Sequence, residues 1–391
     1  MTKIVELIYF NAGGGHRAAA LALQQVMHQQ ARPWTVRLTN LTEVLDPQGL
    51  FMRYTGIQPE DIYNKRLASG FTLGLAQELK LLQAAIRLTH QGLVQRLRTH
   101  WLRGEPDLVV SLIPNFNRAL CQSLGQVLPG VPCMTVLTDM ADHPPHFWIE
   151  PDLPQHLVCG TAHAVAQALA AGCDANRVHR VSGMILRPDF YGPPLPPGER
   201  AARRLALGLP ADEPTGLVLF GGHGSSAMKL IQQRLTDVPL ILMCGRNATL
   251  AQTLTTAPAH ARHVVVGFTP DVAQWMSLAD FFIGKPGPGS LSEAVHMGLP
   301  VIVTRNAATM PQERWNTDWV REQGLGVVQR SFRAVRAAVA DTVQRLPELQ
   351  QQVRSVQNRA VFEVPDIVAR LLDSPPSPDA AQRGAAATSP A

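Results

Sequence analysis

The stretch 279–300 constrains this chain more than any other. Ala279–Gly284 is an apolar run that reads as a buried strand. Gly287, Pro288 and Gly289 then forbid regular structure and let backbone N–H groups approach whatever sits beside them. Ser290 is the predicted N-cap of a helix carrying Leu291, Ala294 and Val295 at helical spacing, with Gly298 as its stop. A strand, a glycine loop and a helix N-terminus together make an anion site, because unpaired N–H groups and the positive end of the helix dipole face the loop. Glu293, one turn into the helix, has two readings. It can accept hydrogen bonds from a sugar hydroxyl beside a bound phosphate, or it can close a Ser290-x-x-Glu293 capping box.

The same grammar recurs along the chain. Ile4–Phe10 is a predicted strand, Asn11–His16 a glycine turn, and Arg17–Gln30 a helix. Val36–Leu38, Asp107–Ile113, Cys133–Thr138, Leu157–Gly160 and Val178–Gly183 follow as strands, with helices over 116–127 and Ala162–Ala171. Residues 186–200 then hold five prolines and read as a stiff linker. Beyond it come strands at Gly216–Phe220, Leu240–Cys244, Val264–Phe268 and Val301–Thr304. Helices are expected over Ser225–Leu235, Ala248–Thr255, Asp271–Leu278, about Gln312–Gln323, 332–346 and 348–372. Strands alternating with helices predict an α/β fold of right-handed βαβ units, doubly wound in each half. The expected layout is a domain over 1–185, the linker 186–200, a second domain over 201–373 and a disordered tail over 374–391. The last helix is free to return to the first domain. Ligands in such sheets bind at the carboxyl ends of strands, which predicts a cleft between the domains.

Composition narrows the partners. Hydrophobic content of 46% with 17% charged residues suits sheets covered on both faces. A net charge of +5 fits an anionic ligand or a membrane surface and falls well short of a nucleic-acid binder. Cys121, Cys133, Cys159, Cys173 and Cys244 form no C-x-x-C pair and read as buried reduced thiols, hence a cytoplasmic setting. Glu6 interrupts the first apolar stretch, which reads as a strand rather than a signal peptide. No apolar stretch approaches the ~20 residues of a spanning helix, so membrane contact is expected to be peripheral.

Other constellations carry chemistry. Gly13-Gly14-Gly15-His16 lacks the dinucleotide G-x-G-x-x-G pattern, yet it offers N–H groups to an anion and an imidazole at the mouth. Asp139 and His143, after a buried strand, can form an acid–base or orienting pair. The aspartates there are spaced D-x-x-D, not the D-x-D of a metal clamp, and His143 with His146 lacks a third zinc ligand. Gly221-Gly222-His223-Gly224-Ser225 is a second phosphate cradle. Gln312, Glu313 and Asn316 sit at helical spacing that turns Gln312 and Asn316 the same way. Leu75, Leu79, Leu82, Ile86, Leu93 and Leu97 make an apolar stripe, with Lys80, Arg87 and Arg98 on another face. Residues 51–105 hold eight Lys/Arg against four Asp/Glu, so +4 of the chain's +5 originates there. That face reads as a solvated helix side or as a dock for an anionic membrane.

Several of these motifs together resemble glycosyltransferase family 28. Lys285-Pro286-Gly287-Pro288-Gly289, Glu293-Ala294 and Gly298-Leu299-Pro300 are similar to its nucleotide-sugar signature, and Gly13–Ala18 resembles the first loop of the monogalactosyldiacylglycerol synthases. The peptidoglycan enzyme that adds N-acetylglucosamine to a lipid-linked precursor is another member. The resemblance spans roughly 4–370 and implies a GT-B fold, in which two Rossmann-like domains face a deep cleft. It implies an inverting, metal-independent transferase that moves a hexose from a UDP-sugar to a lipid such as diacylglycerol, on the inner face of the cell membrane. No cofactor is implied.

Site roles follow residue by residue. The glutamate matching Glu293 holds the ribose hydroxyls of UDP, near Gly287, Gly289 and Ser290. The histidine matching His16 is a candidate base, with Gly14 and Gly15 beside it, and Asp139 competes for that role. Val136–Trp148, which includes His143, resembles the acceptor-side segment. Gly222, Gly224 and Ser225 match the second phosphate loop, Arg246 the base-proximal turn, and Phe268 the residue whose backbone meets the uracil. The stretch Gln312-Glu313-x-x-Asn316 matches the Gln…Asn pair that reads donor-sugar hydroxyls, with Glu313 a further substrate-binding candidate. Two rivals stay open. A UDP-sugar 2-epimerase needs carboxylates around C2 of the sugar, and no such cluster is apparent. A non-catalytic nucleotide-sugar-binding subunit does not need His16, Asp139 and Glu293 intact.

Overall fold

Apolar runs of four to seven residues set the architecture, as buried parallel strands require. The computed structural model describes residues 2–11, 14–49, 75–257 and 262–374. Gly13, the 51–74 part of the basic region and the tail from 375 lie outside the described residues. The described residues divide into two compact units, one of residues 2–49, 75–187 and 359–374 and the other of 188–358.

The first unit begins with β1 (Lys3–Tyr9), α1 (Gly15–Gln29), β2 (Trp34–Asn40) and the short α2 (Leu41–Leu45). Helices α3 (Leu75–Leu88) and α4 (His90–Gly104) lead to β3 (Leu108–Ser111) and α5 (Asn117–Val127). Then come β4 (Cys133–Val136), β5 (His156–Cys159), α6 (Ala162–Ala170) and β6 (Val178–Arg180). The sheet runs β2-β1-β3-β4-β5-β6 with every pairing parallel. Val5, Leu7 and Ile8 of β1 and Leu108, Val109 and Val110 of β3 are fully buried. Strand order reverses between β1 and β3, and ligand sites in such sheets lie at that switch point. Glu6 is the charged exception within β1, held by His100 Nε2 at 2.6 Å and Thr39 Oγ1 at 2.7 Å.

The apolar stripe of α3 is narrower than its spacing predicts. Leu79 is buried and Ile86 half-buried, whereas Leu82 is 46% exposed. Lys80, Leu81, Ala84, Ala85, Arg87 and Leu88 all face solvent, while Arg98 is half-buried against Gln95.

The second unit opens with a 3₁₀ turn, Pro188–Tyr191, inside the proline-rich segment, and with α7 (Pro197–Ala206), which starts in that segment and runs past it. β7 (Gly216–Leu219), α8 (Ala227–Arg234), β8 (Leu240–Met243), α9 (Ala248–Thr256), β9 (His263–Val266) and α10 (Val272–Ser277) follow. The unit continues with β10 (Phe281–Gly284), α11 (Pro288–His296), β11 (Val301–Thr304), α12 (Arg314–Glu322), β12 (Gly326–Gln329), α13 (Val335–Gln344) and α14 (Leu346–Ser355). Its sheet, β12-β11-β10-β7-β8-β9, is again wholly parallel and reverses between β7 and β10. The two glycine loops, after β7 and after β10, therefore flank its switch point. Asp280 anchors the start of β10, accepting from Arg200, Arg204 and the Thr215 N–H.

The predicted helix over 348–372 is two helices. α14 ends at Ser355, and α15 (Ala360–Asp373) starts after a break at 356–359. The chain crosses back to the first unit there, at residue 359. α15 packs on α1, with Asp366 paired to Arg32, and Glu363 accepts from the Ser182 N–H at 2.8 Å.

Candidate functional site

In the second unit the loop after β10 starts one residue past the sheet. A Cβ on Gly284 would stand 2.4 Å from the Leu219 carbonyl oxygen, so only glycine lets β10 lie this close to β7. The helix begins earlier than the sequence suggests. Gly287 is the N-cap of α11 and Pro288 is its first residue, which places Ser290 inside the first turn rather than at the cap. Proline is suited to that position because its φ is preset and its missing N–H is not needed there. The expected capping box loses its basis, since Ser290 is not the cap. Glu293 lies half-buried on the next turn, and Gly289 leaves open space beside it in sequence.

The second cradle is built against β8. Gly221 and Gly224 adopt positive φ, and a Cβ on Gly224 would meet Leu250 Cδ2 at 2.7 Å. The Arg246 N–H donates to the Gly222 carbonyl at 2.8 Å, and Asn247 Nδ2 donates to the His223 carbonyl at 3.3 Å. Asn247 also caps α9 through the Leu250 N–H, so one side chain ties both turns together. Ser225 precedes α8 instead of opening it, and its Oγ accepts from the Ala227 N–H at 3.2 Å. The Arg246 guanidinium stacks 3.9 Å over the Phe268 ring, and both side chains are exposed.

Gln312 and Glu313 fall in a 3₁₀ turn, Pro311–Glu313, and Asn316 in α12 behind it. All three are buried. Asn316 Nδ2 donates to the Pro286 carbonyl at 2.7 Å, and Lys285 Nζ donates to Glu313 Oε1 at 2.7 Å, so this turn abuts the glycine loop. Gln312 Oε1 and Asn316 Oδ1 are buried acceptors without a hydrogen-bond partner. Buried acceptors of this kind are costly unless something donates to them.

In the first unit, His16 lies in the first turn of α1, after Gly14 in the left-handed region and Gly15 with open space around it. Its Nδ1 is 3.1 Å from Thr138 Oγ1 and its ring 5.9 Å from that of Trp148. Desolvation pushes the imidazole down to about 4, against the opposing effect of a hydrogen bond to the Leu112 backbone. Asp139 is buried and accepts from Trp148 Nε1 at 2.9 Å. Asp142 organises the segment, accepting from the N–H groups of His146 at 3.0 Å and Trp148 at 2.6 Å. Burial pushes the Asp142 carboxyl upward. His143, followed by a cis proline, is exposed. Trp148, Thr138 and the role of Asp142 escape sequence reasoning, because Thr138 meets His16 across the fold and the turn that joins Asp142 to His146 and Trp148 has no local sequence pattern of its own. Beside this segment lies a cavity of about 400 Å³ lined by Gln83, Arg87, His90, Asn115, Arg118 and His146 among others. Among the described residues no group of three or more His, Cys, Asp and Glu is placed to hold a metal ion.

Two parallel six-stranded sheets in two units, with Gly14 and Gly15 after β1 at the switch point of the first and two glycine loops at that of the second, define the GT-B fold, the architecture of nucleotide-sugar-dependent glycosyltransferases. The chain is 27% identical over 404 residues to a probable chloroplastic monogalactosyldiacylglycerol synthase of Glycine max, covering 95% of this chain and 70% of that one. Among solved structures it resembles Acinetobacter baumannii MurG, with a TM-score of 0.56 and 14% identity over 95% of this chain and 100% of that one. It also resembles Arabidopsis thaliana UGT89C1 complexed with UDP, with a TM-score of 0.59 and 16% identity over 95% and 100%. No protein-family profile matches the chain.

Proposed function

We propose that this protein is a hexosyltransferase that moves a sugar from a UDP-sugar to a lipid acceptor, diacylglycerol being the expected case. The observation that carries the reading is the pair of unpartnered buried oxygens, Gln312 Oε1 and Asn316 Oδ1, beside the glycine loop. They would accept from donor-sugar hydroxyls. The loops of Gly222, Gly224 and Ser225 and of Gly287, Gly289 and Ser290 would hold the diphosphate through backbone N–H groups, Glu293 the ribose, and Arg246 and Phe268 the base. That UGT89C1 was solved with UDP supports the donor class, and the name of the soybean relative supports a lipid acceptor.

In this mechanism the acceptor hydroxyl, relieved of its proton by His16 or Asp139, attacks the anomeric carbon from the face opposite UDP, which inverts the centre. The acceptor's lipid portion would enter by the cavity beside His146, next to the solvent-facing leucines of α3. Lys80 and Arg87 on α3 suit an anionic membrane surface, and we place the protein peripherally on the inner face of the cell membrane. No described helix is long and apolar enough to cross a membrane. Five free cysteines suit the cytoplasm. We further propose that turnover needs no metal ion, the helix ends and loops stabilising the leaving diphosphate.

Purified protein incubated with UDP-galactose, UDP-glucose and UDP-N-acetylglucosamine plus diacylglycerol vesicles tests the reading. The expected result is a glycolipid of inverted anomeric configuration from one donor, formed equally in excess chelator. No transfer from any donor to any lipid would reject the function, and activity restored only by manganese or magnesium would reject the metal-free mechanism.

A further inference from the structure

A lysine stands between the two glycine loops of the second unit. Lys285 follows β10 directly, and β10 pairs with β7 at the switch point of the sheet. A Cβ on Gly287 would meet Lys285 Cε at 3.1 Å and Nζ at 3.5 Å, and a Cβ on Gly221 would meet the same Cε at 3.9 Å. The side chain therefore runs along the gap between the loops, touching the space beside each. Its ammonium donates to Glu313 Oε1 at 2.7 Å. The two partners are unequal, because the Glu313 side chain is 4% exposed and that of Lys285 34%.

That inequality has a physical meaning. A buried carboxylate that lost its partner would be an uncompensated charge, so Glu313 holds the ammonium strongly in place. An ammonium has three donor hydrogens, and this ion pair uses one. A free lysine would also lose rotamer freedom on meeting a ligand, and the ion pair has removed much of that freedom in advance.

We propose that Lys285 binds the diphosphate of the donor and that Glu313 is a positioning residue that fixes its ammonium between the loops. The inference rests on the UDP-sugar reading above and adds a charge to cradles that otherwise consist of backbone N–H groups. When the bond from the anomeric carbon to the β-phosphate oxygen breaks, its electron pair stays on that oxygen, and UDP leaves with one further negative charge. A fixed cation beside the phosphates opposes that charge at no cost in reorganisation.

Titration calorimetry with UDP and with uridine separates this role from a merely structural one. Lys285→Met should weaken UDP binding roughly 10–100-fold and change uridine binding less than about twofold. Lys285→Arg should recover part of the loss. Because Lys285→Met leaves Glu313 buried and unpaired, Lys285→Met with Glu313→Gln is measured beside it, and the same selective loss of UDP affinity is expected. If either variant keeps the wild-type ratio of UDP to uridine affinity, the inference is overturned. Wild-type protein that binds no UDP would instead overturn the nucleotide-sugar reading, and this inference with it.

Discussion

Trp148 joins the two candidate bases of the first unit, its indole N–H donating to Asp139 Oδ2 at 2.9 Å while its ring lies 5.9 Å from that of His16. One side chain thus sets the orientation of the carboxylate and forms a wall beside the imidazole. Trp148→Phe keeps an aromatic wall and deletes the donor, leaving a buried oxygen one bond short. The expected loss of stability is about 1–3 kcal/mol, read by denaturant titration. If Asp139 is the base, turnover should fall further than UDP affinity. Turnover unchanged in a folded variant would remove Asp139 from the chemistry.

The unpartnered amide oxygens of Gln312 and Asn316 give a second test. Gln312→Leu and Asn316→Leu should raise KM for the UDP-sugar about tenfold each, the usual worth of a hydrogen bond to an uncharged partner or slightly more. Affinity for UDP itself should hold, because these oxygens are proposed to meet the sugar. Equal weakening of UDP and UDP-sugar would show that both residues only support the glycine loop. For Asn316 that alternative has a concrete basis in its bond to the Pro286 carbonyl.

The ribose contact is separable from both. Glu293→Ala should weaken UDP by about 2–3 kcal/mol through lost charge-assisted hydrogen bonds, while UMP weakens equally and free phosphate not at all. A variant that binds UDP like wild type ends the assignment of Glu293.

Both sheets were legible because parallel strands buried on two faces read as short apolar runs, and both cradles because glycine is required where Gly284 meets Leu219 and Gly224 meets Leu250. What escaped is non-local. Trp148 and Asp139 are nine residues apart around a turn, and Lys285 and Glu313 are 28 apart on different elements. Local signals also competed. Ser290 is a good cap residue, yet Pro288 at the first helical position fixes the start at Gly287. Leu82 has the spacing of a core residue, but α3 buries only Leu79 among its described leucines, so spacing overstated the buried face.

Acid should destabilise the fold in a defined window. Burial lowers His16 and His156 to about 4, and it lowers His179 and His296 as well. These groups stay neutral in the folded state while the unfolded chain takes up protons below the ordinary value of 6.5. The contribution of these histidines should therefore fall as pH drops from 6.5 towards 4 and level off below it. His156 Nδ1 lies 3.1 Å from His179 Nε2 at the edge of the first sheet, away from the proposed chemistry. His156→Gln should recover on the order of 1–2 kcal/mol of the acid loss, its partial exposure considered. Chemical denaturation at pH 7 and pH 4.5 would show it, and identical pH slopes would refute it.

The proposed membrane docking rests on α3, where Lys80 and Arg87 share the surface with Leu81 and Leu88. Lys80→Glu with Arg87→Glu should reduce sedimentation with anionic vesicles, each cation near the surface contributing about 1 kcal/mol. Leu81→Ser with Leu88→Ser should reduce it on neutral vesicles too. Binding unchanged in both pairs would leave α3 a solvated helix.

In the proposed mechanism, His16 and Asp139 compete for the acceptor proton. Because burial holds the His16 imidazole down at about 4, it is neutral and able to accept a proton at pH 7. An acidic limb caused by His16 should therefore fall near pH 4 rather than at 6.5, which places it close to where a carboxylate would titrate. The position of the limb alone cannot separate His16 from Asp139, so the variants must. His16→Ala should lower turnover by roughly 10²–10⁴-fold if it is the base, with UDP affinity unchanged. His16→Gln keeps a polar side chain in the turn and should not restore the rate. Since Nδ1 faces Thr138 Oγ1 at 3.1 Å, Thr138→Val should lower turnover by a smaller factor, through loss of ring orientation. Wild-type turnover in His16→Ala, together with an inactive but folded Asp139→Asn, would move the base to Asp139. His16 would then be no more than a residue in the first turn of α1.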